Sequence, residues 1–162
     1  MNRTPERPSV ALPLTGGCGC GAVRYALSSA PILLFACHCS LCQRQSGSAF
    51  GLSLRVHRAD LAITGPTATA LRKTERGEPS ESLFCQACGG RIFNARPGTP
   101  FCHLRGGTLD NTGWLRPAAH IWASRRQPWI ELGDTALIYD EQPDGLDRIA
   151  AHWQAHMAPD FG

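Results

Sequence analysis

The chain has 162 residues, 43% of them hydrophobic and 18% charged, with a formal net charge of +3. That size and balance predict one compact domain and exclude a disordered acidic tail. All but one of the sixteen basic residues are arginine, and they are scattered rather than gathered in a stripe, which argues against a nucleic-acid partner.

In chain order, residues 1–15 carry Pro5, Pro8 and Pro13 and no apolar period, so they read as a flexible lead-in. Short β-like runs punctuated by Gly, Pro, Ser and Asn then follow at 22–27, 32–37, 49–56 and 67–71. Four more come at 82–84, 91–95, 101–104 and 120–123. A helical turn is predicted at 40–45, stopped by Gly47. Near the end, Leu146, Ile149, Ala150, Trp153 and Met157 recur at three and four residues, which predicts a helix with one core-facing side. The fold class is therefore mainly β, largely antiparallel, with a C-terminal helix. The expected divisions are a lead-in over 1–15, a β domain over 16–140 and a helical extension over 141–162. No apolar run approaches the ~20 residues that span a bilayer, and the start lacks the apolar core of a secretory signal. The expected setting is cytoplasmic.

In a reducing compartment, clustered cysteines read as metal ligands rather than disulfides. Seven of the eight cysteines fall into three groups: Cys18 and Cys20; Cys37, Cys39 and Cys42; Cys85 and Cys88. Cys18, Cys20, Cys85 and Cys88 offer four thiolates for a closed structural zinc, with Gly19, Gly21, Gly89 and Gly90 allowing the turns. A redox pair would open a helix, whereas Cys85 and Cys88 precede Gly-Gly and a strand-like run.

Cys37, Cys39 and Cys42 supply three ligands and leave a fourth position. Three readings stay open: a zinc with an exchangeable position for water or a thiol, a closed site completed by His38, His103, His120 or Cys102, or three free thiols. No H-E-x-x-H occurs, nor the H-x-E with P-C-x-x-C of nucleobase deaminases. Anionic sulfur ligands make a weak Lewis acid, so capturing a thiol suits the triad better than hydrolysis. Cys102 reads as a core residue, His38, His120 and Trp122 as packing residues, and Asp110 as a turn residue.

Three sets of motifs together resemble the glutathione-dependent formaldehyde-activating (GFA) family, also known as the GFA/centromere-protein-V family. They are Gly17-Cys18-Gly19-Cys20-Gly21-Ala22-Val23-Arg24-Tyr25, Cys37-His38-Cys39-Ser40-Leu41-Cys42-Gln43 with Ser46-Gly47-Ser48, and Phe84-Cys85-Gln86-Ala87-Cys88-Gly89. Gly107-Thr108-Leu109-Asp110, His120-Ile121-Trp122 and Pro128-Trp129 continue the pattern in order, so that it covers 16 to about 140. The resemblance implies a β-tent fold with two zinc ions per chain: a structural site at Cys18, Cys20, Cys85 and Cys88, and a substrate-facing site at Cys37, Cys39 and Cys42. It also implies a carbon-sulfur lyase that adds glutathione to formaldehyde to give S-(hydroxymethyl)glutathione, the thiol losing its proton and attacking the carbonyl carbon. Glutathione carboxylates would need cationic donors, and Arg44 is the nearest in sequence to Cys42. The alternative is a non-enzymatic zinc module that binds protein or nucleic acid, as the family name suggests for some relatives.

Overall fold

The computed structural model describes residues 7–162; residues 1–6 of the lead-in lie outside the described residues. Thirteen strands and two α-helices follow in order. The strands are β1 (Ser9–Val10), β2 (Leu14–Gly17), β3 (Arg24–Leu27), β4 (Leu33–Cys37), β5 (Gly51–His57), β6 (Leu61–Thr64) and β7 (Thr67–Lys73), then β8 (Pro79–Cys85), β9 (Arg91–Ala95), β10 (Phe101–Arg105), β11 (Ala119–Ile121), β12 (Leu137–Ile138) and β13 (Asp160–Phe161). Helix α1 (Ser40–Ser46) follows β4, and α2 (Asp147–His156) lies near the end. The expected mainly β class with a C-terminal helix is what the chain forms. Every strand-like run of the sequence lies in a strand or overlaps one, while β1, β2, β6, β12 and β13 carry no run that the sequence singled out.

An eight-stranded sheet runs in the order β12-β11-β4-β5-β10-β9-β8-β7, and a three-stranded sheet in the order β2-β3-β6. Pairing is antiparallel from β4 to β7 across the large sheet, and parallel where β11 meets β4 and β12. The stretch read as a lead-in carries structure from Ser9 onward: β1 pairs in parallel with β13, and Leu14 is buried in the core.

The core gathers Leu27, Leu34, Leu54, Ile92 and Leu104 from the strands with Ile149 and Trp153 from α2, all fully buried. The apolar spacing of α2 thus faces the sheet, where the helix packs against β4. Strand β4 is buried along its whole length, so its Leu-Leu-Phe-Ala-Cys run needs no polar alternation.

Pairing registers decide what faces the site, because directly opposed residues share a face of the sheet. Ser82 opposes Asn94, Asn94 opposes His103, and His103 opposes Arg55. Beside that row Arg105 opposes Ser53, which opposes Phe35, and Cys37 opposes Gly51. A polar, arginine-bearing face therefore ends at a cysteine.

Candidate metal centres and the adjoining cavity

Two thiol clusters form among the described residues, with the sulfurs of each within 4.8 Å of one another. Cys18, Cys20, Cys85 and Cys88 make the first, and Cys37, Cys39 and Cys42 the second. A tetrahedron with ~2.3 Å metal–sulfur arms has sulfurs roughly 3.8 Å apart. Cys18 and Cys20 are 3.4 Å apart and Cys20 and Cys85 3.8 Å, close to that spacing, so the four-cysteine set could hold a metal ion.

The four-cysteine cluster joins two knuckles. Cys18 and Cys20 follow β2, and Cys85 ends β8, where Gly89 turns the chain with φ 70° so that it can enter β9. Gly21, at φ 79°, does the same ahead of β3, whereas Gly19 and Gly90 have no left-handed conformation. Backbone N–H groups point at sulfur: Val23 N donates to Cys18 Sγ at 3.2 Å, and Gly90 N donates to Cys88 Sγ at 3.4 Å. The Val23 bond is the leading cause that draws the Cys18 thiol down to about 6. Cys20 is pushed up to about 11, because the thiols of Cys18 and Cys88 beside it outweigh the lowering bond from Ala22.

The triad is buried. Cys37 is the last residue of β4 and Cys39 caps α1, its sulfur accepting from Cys42 N at 3.3 Å. Gly47 closes the helix in the left-handed region at φ 60°. The three thiols titrate as a unit. One thiolate is favoured at Cys42, drawn down to about 3 by its contacts with Cys37 and Cys39 and by the charges of Arg105 and Arg72. Cys37 is pushed strongly upward, first by the same neighbouring thiols and then by burial. A set of three buried thiols with such stacked charge suits a bound cation.

The residues offered as a fourth ligand lie elsewhere. None of His38, His103, His120 and Cys102 brings a ligand atom into the triad among the described residues. His38 Nε2 stands 2.9 Å from His120 Nδ1, and burial lowers both rings, His38 to about 4. His103 packs edge-on against Phe35, and burial lowers it to about 3. Cys102 is fully buried on the other side of β10, and burial pushes its thiol up to about 11.

A cavity of about 480 Å³ opens against the triad, with Cys37, Cys39 and Cys42 in its wall. Its sheet face carries Arg55, Arg72, Asn94, His103 and Arg105, and residues 74–76, 78–79 and 142–147 form its rim. Arg44 lies outside it, exposed beside a shallow hollow with Gln43 and Trp129. Two helical positions from Cys42 turn a side chain by roughly 200°, so nearness in sequence sends Arg44 away from the thiols. The cavity arginines were not singled out from the sequence, since they lie on strands far apart in the chain. Asp110 ties the segment after β10 to the three-stranded sheet and is not a cavity residue: Arg24 donates to it through both terminal nitrogens, and Thr15 Oγ1 donates to it at 2.6 Å. Trp122, at the cavity wall, holds a left-handed backbone at φ 55°.

Fold and site together define a mainly β protein with two cysteine clusters that could hold metal ions, one of them opening on a cationic cavity. The family model described as glutathione-dependent formaldehyde-activating enzyme matches residues 13–125, and the chain belongs to that family. A protein of Halomonas elongata, provisionally named as a glutathione-dependent formaldehyde-activating enzyme, is 26% identical over 158 residues, covering 92% of this chain and 99% of its own. A crystal structure of a Rhodobacter sphaeroides protein is similar at 20% identity with a TM-score of 0.43, over 64% of this chain and 91% of that one. No helix among the described residues is long and apolar enough to cross a membrane.

Proposed function

We propose that this chain is a zinc-dependent carbon-sulfur lyase-type enzyme that adds a thiol, glutathione, to a small aldehyde such as formaldehyde. The observation that carries the reading is the contrast between the clusters. The triad has three thiols and a cavity at its side, whereas none of the four-cysteine cluster lines that cavity. Thiolate donors in a tetrahedral arrangement suit zinc, which takes no part in redox chemistry. Zinc held by Cys37, Cys39 and Cys42 would supply the positive charge that keeps a fourth sulfur deprotonated at neutral pH.

The chain's own residues do the rest. Cys18, Cys20, Cys85 and Cys88 tie the β2–β3 turn to the β8–β9 turn and so fix the frame. The cavity arginines attract an anionic thiol and hold it beside the triad. His103, neutral above about pH 3, lines the same space without adding charge. In the addition the substrate sulfur forms a bond to the carbonyl carbon, the carbonyl π pair moves to oxygen, and that oxygen takes up the proton the thiol gave. Every atom of thiol and aldehyde is retained in the S-(hydroxymethyl) product.

The test is exchange NMR on labelled formaldehyde and glutathione, with metal content measured by elemental mass spectrometry on the same sample. The protein with two zincs accelerates adduct formation over the spontaneous reaction, and Cys39→Ala loses the acceleration while keeping its fold and one zinc. A two-zinc protein that leaves the spontaneous rate unchanged sinks the enzyme reading and leaves the binding module in its place.

A further inference from the structure

We propose that Arg105 and Arg72, locked together by Asn94 on the cavity floor, form a carboxylate-binding subsite that selects thiols bearing a carboxylate a few bonds from their sulfur. The inference deepens the function proposed above and rests on it.

Asn94 is buried and sits between the two guanidinium groups. With its amide oxygen turned toward them it accepts from Arg105 Nη2 at 2.7 Å and Arg72 Nη2 at 3.0 Å, while its nitrogen donates to Ser82 Oγ and Phe93 O, each at 3.1 Å. This orientation satisfies both ends of the amide and pins two like charges side by side. The charges of both guanidinium groups already bear on the Cys42 sulfur, and an anion that also joined them on the cavity side would offset more of their mutual repulsion.

No protein carboxylate does so among the described residues. The acidic residues at the rim have their own partners: Glu75 pairs with Arg125, Glu78 with Arg96 and Asp144 with Arg76. Asp147, also at the rim, bears on Arg55. Arg72 donates Nη1 to Lys73 O at 3.2 Å, and its Nε is buried without a partner among the described residues, as are Nε and Nη1 of Arg91, whose charge bears on both Arg72 and Arg105. Arg105, which lines the cavity, spends Nη2 on Asn94 and on Gln45 Oε1, the latter at 3.0 Å, and its Nη1 has no hydrogen-bond partner among the described residues.

That free nitrogen is aimed at the chemistry. Arg105 Nη1 and Cys42 Cβ lie 2.9 and 3.5 Å from a single point, the place where a Cβ on Gly51 would stand. The absence of a side chain at Gly51 is what lets the guanidinium come so close to the triad. A carboxylate held there is only a short linker away from a sulfur at the open position. In a thiol tripeptide of the glutathione kind the carboxylate of the residue after cysteine meets that requirement, and a planar guanidinium suits a planar carboxylate.

Calorimetric titration of the two-zinc protein with S-methylglutathione and with its diethyl ester tests the subsite. Both probes lack a free thiol and differ in their carboxylates. Wild type binds the acid roughly 10- to 100-fold more tightly than the ester, as expected for charge-assisted hydrogen bonds. Arg105→Gln and Arg72→Gln bring the two probes together, with metal content and melting temperature checked on each; Arg105→Lys, which keeps charge but not the fork, falls between. Arg44→Gln keeps the full discrimination.

Equal binding of acid and ester to wild type overturns the subsite, as does discrimination that survives both glutamine variants or a failure of the acid to bind. Loss of zinc from the triad in those variants, with no discrimination in wild type, makes the arginines partners of the metal cluster and also overturns it. Adduct formation is followed separately. Discrimination without turnover removes the proposed reaction and keeps the subsite, whereas turnover without discrimination does the reverse.

Discussion

His38 and His120, 82 positions apart, meet through a single contact, His38 Nε2 to His120 Nδ1 at 2.9 Å, so one nitrogen must carry the hydrogen and the other must be bare. His38 Nδ1 is buried without a partner among the described residues. The pair ties the start of α1 to β11, since His38 also receives Gln43 Nε2 at its carbonyl at 2.8 Å. His120→Ala strips the last partner from a buried imidazole and costs about 1–3 kcal/mol. His120→Asn, whose amide can stand where Nδ1 stood, recovers part of that loss. Urea unfolding at neutral pH checks both, and equal stability of the alanine variant and wild type would dismiss the pair as a structural tie.

Metal removal separates the clusters. Cys85→Ser, at a fully buried sulfur in the four-cysteine cluster, lowers metal content by one and broadens or abolishes cooperative unfolding. Cys42→Ser also lowers metal content by one but leaves the sheet intact in circular dichroism. Chelation of the wild type follows the same order, the triad emptying before the fold is lost. A fold unchanged after complete metal removal contradicts the assignment of the four-cysteine site as structural.

Gly51→Ala tests the approach of Arg105 to the triad. The new methyl would stand 2.9 Å from Arg105 Nη1, which can give by a few tenths of an ångström while Nη2 keeps its bonds, and in ordinary contact with Cys42 Cβ, so stability changes by only about 1 kcal/mol. The affinity for S-methylglutathione falls several-fold, whereas that for its diethyl ester stays level. A parallel loss for both probes would trace the effect to general distortion.

The Asp110 carboxylate is held below its ordinary range by hydrogen bonds from Arg24 and then from Thr15. Because the folded value is depressed, its contribution is complete above the unfolded value near 3.8 and is lost as pH falls through the folded one. Asp110→Asn is therefore less stable than wild type at neutral pH, with a constant gap that narrows only below about pH 4. Denaturant curves of both proteins across that range check the sign, and a gap that widens in acid refutes it.

Local signals were readable wherever they stayed local. The C-x-C, C-x-C-x-x-C and C-x-x-C spacings put sulfurs together because one or two residues in a turn suffice to bring two thiols onto one point, and both clusters appear as read. The face of α2 was legible from Ile149 and Trp153 for the same reason. Strands β1 and β13 are two residues each, too short to carry a period, and β6 is a half-buried strand paired only with β3. The cavity face escaped because it is made by register. Arg55, Asn94 and Arg105 look like any polar residues of their strands until pairing sets Asn94 opposite His103 and His103 opposite Arg55. Arg44 drew notice for its nearness to Cys42 along the chain, and helix geometry turned it elsewhere.

Trp122 gives the cavity an optical gauge. Of the four tryptophans, Trp114 and Trp153 are shut in the core, Trp129 is 70% exposed, and Trp122 alone forms part of the cavity wall, with Arg125 stacked 4.6 Å from its ring. Emission from this indole reports on what enters beside the thiols, without a label and without turnover. Replacing Trp129 by phenylalanine removes the water-exposed background and leaves that signal against two steady, buried emitters.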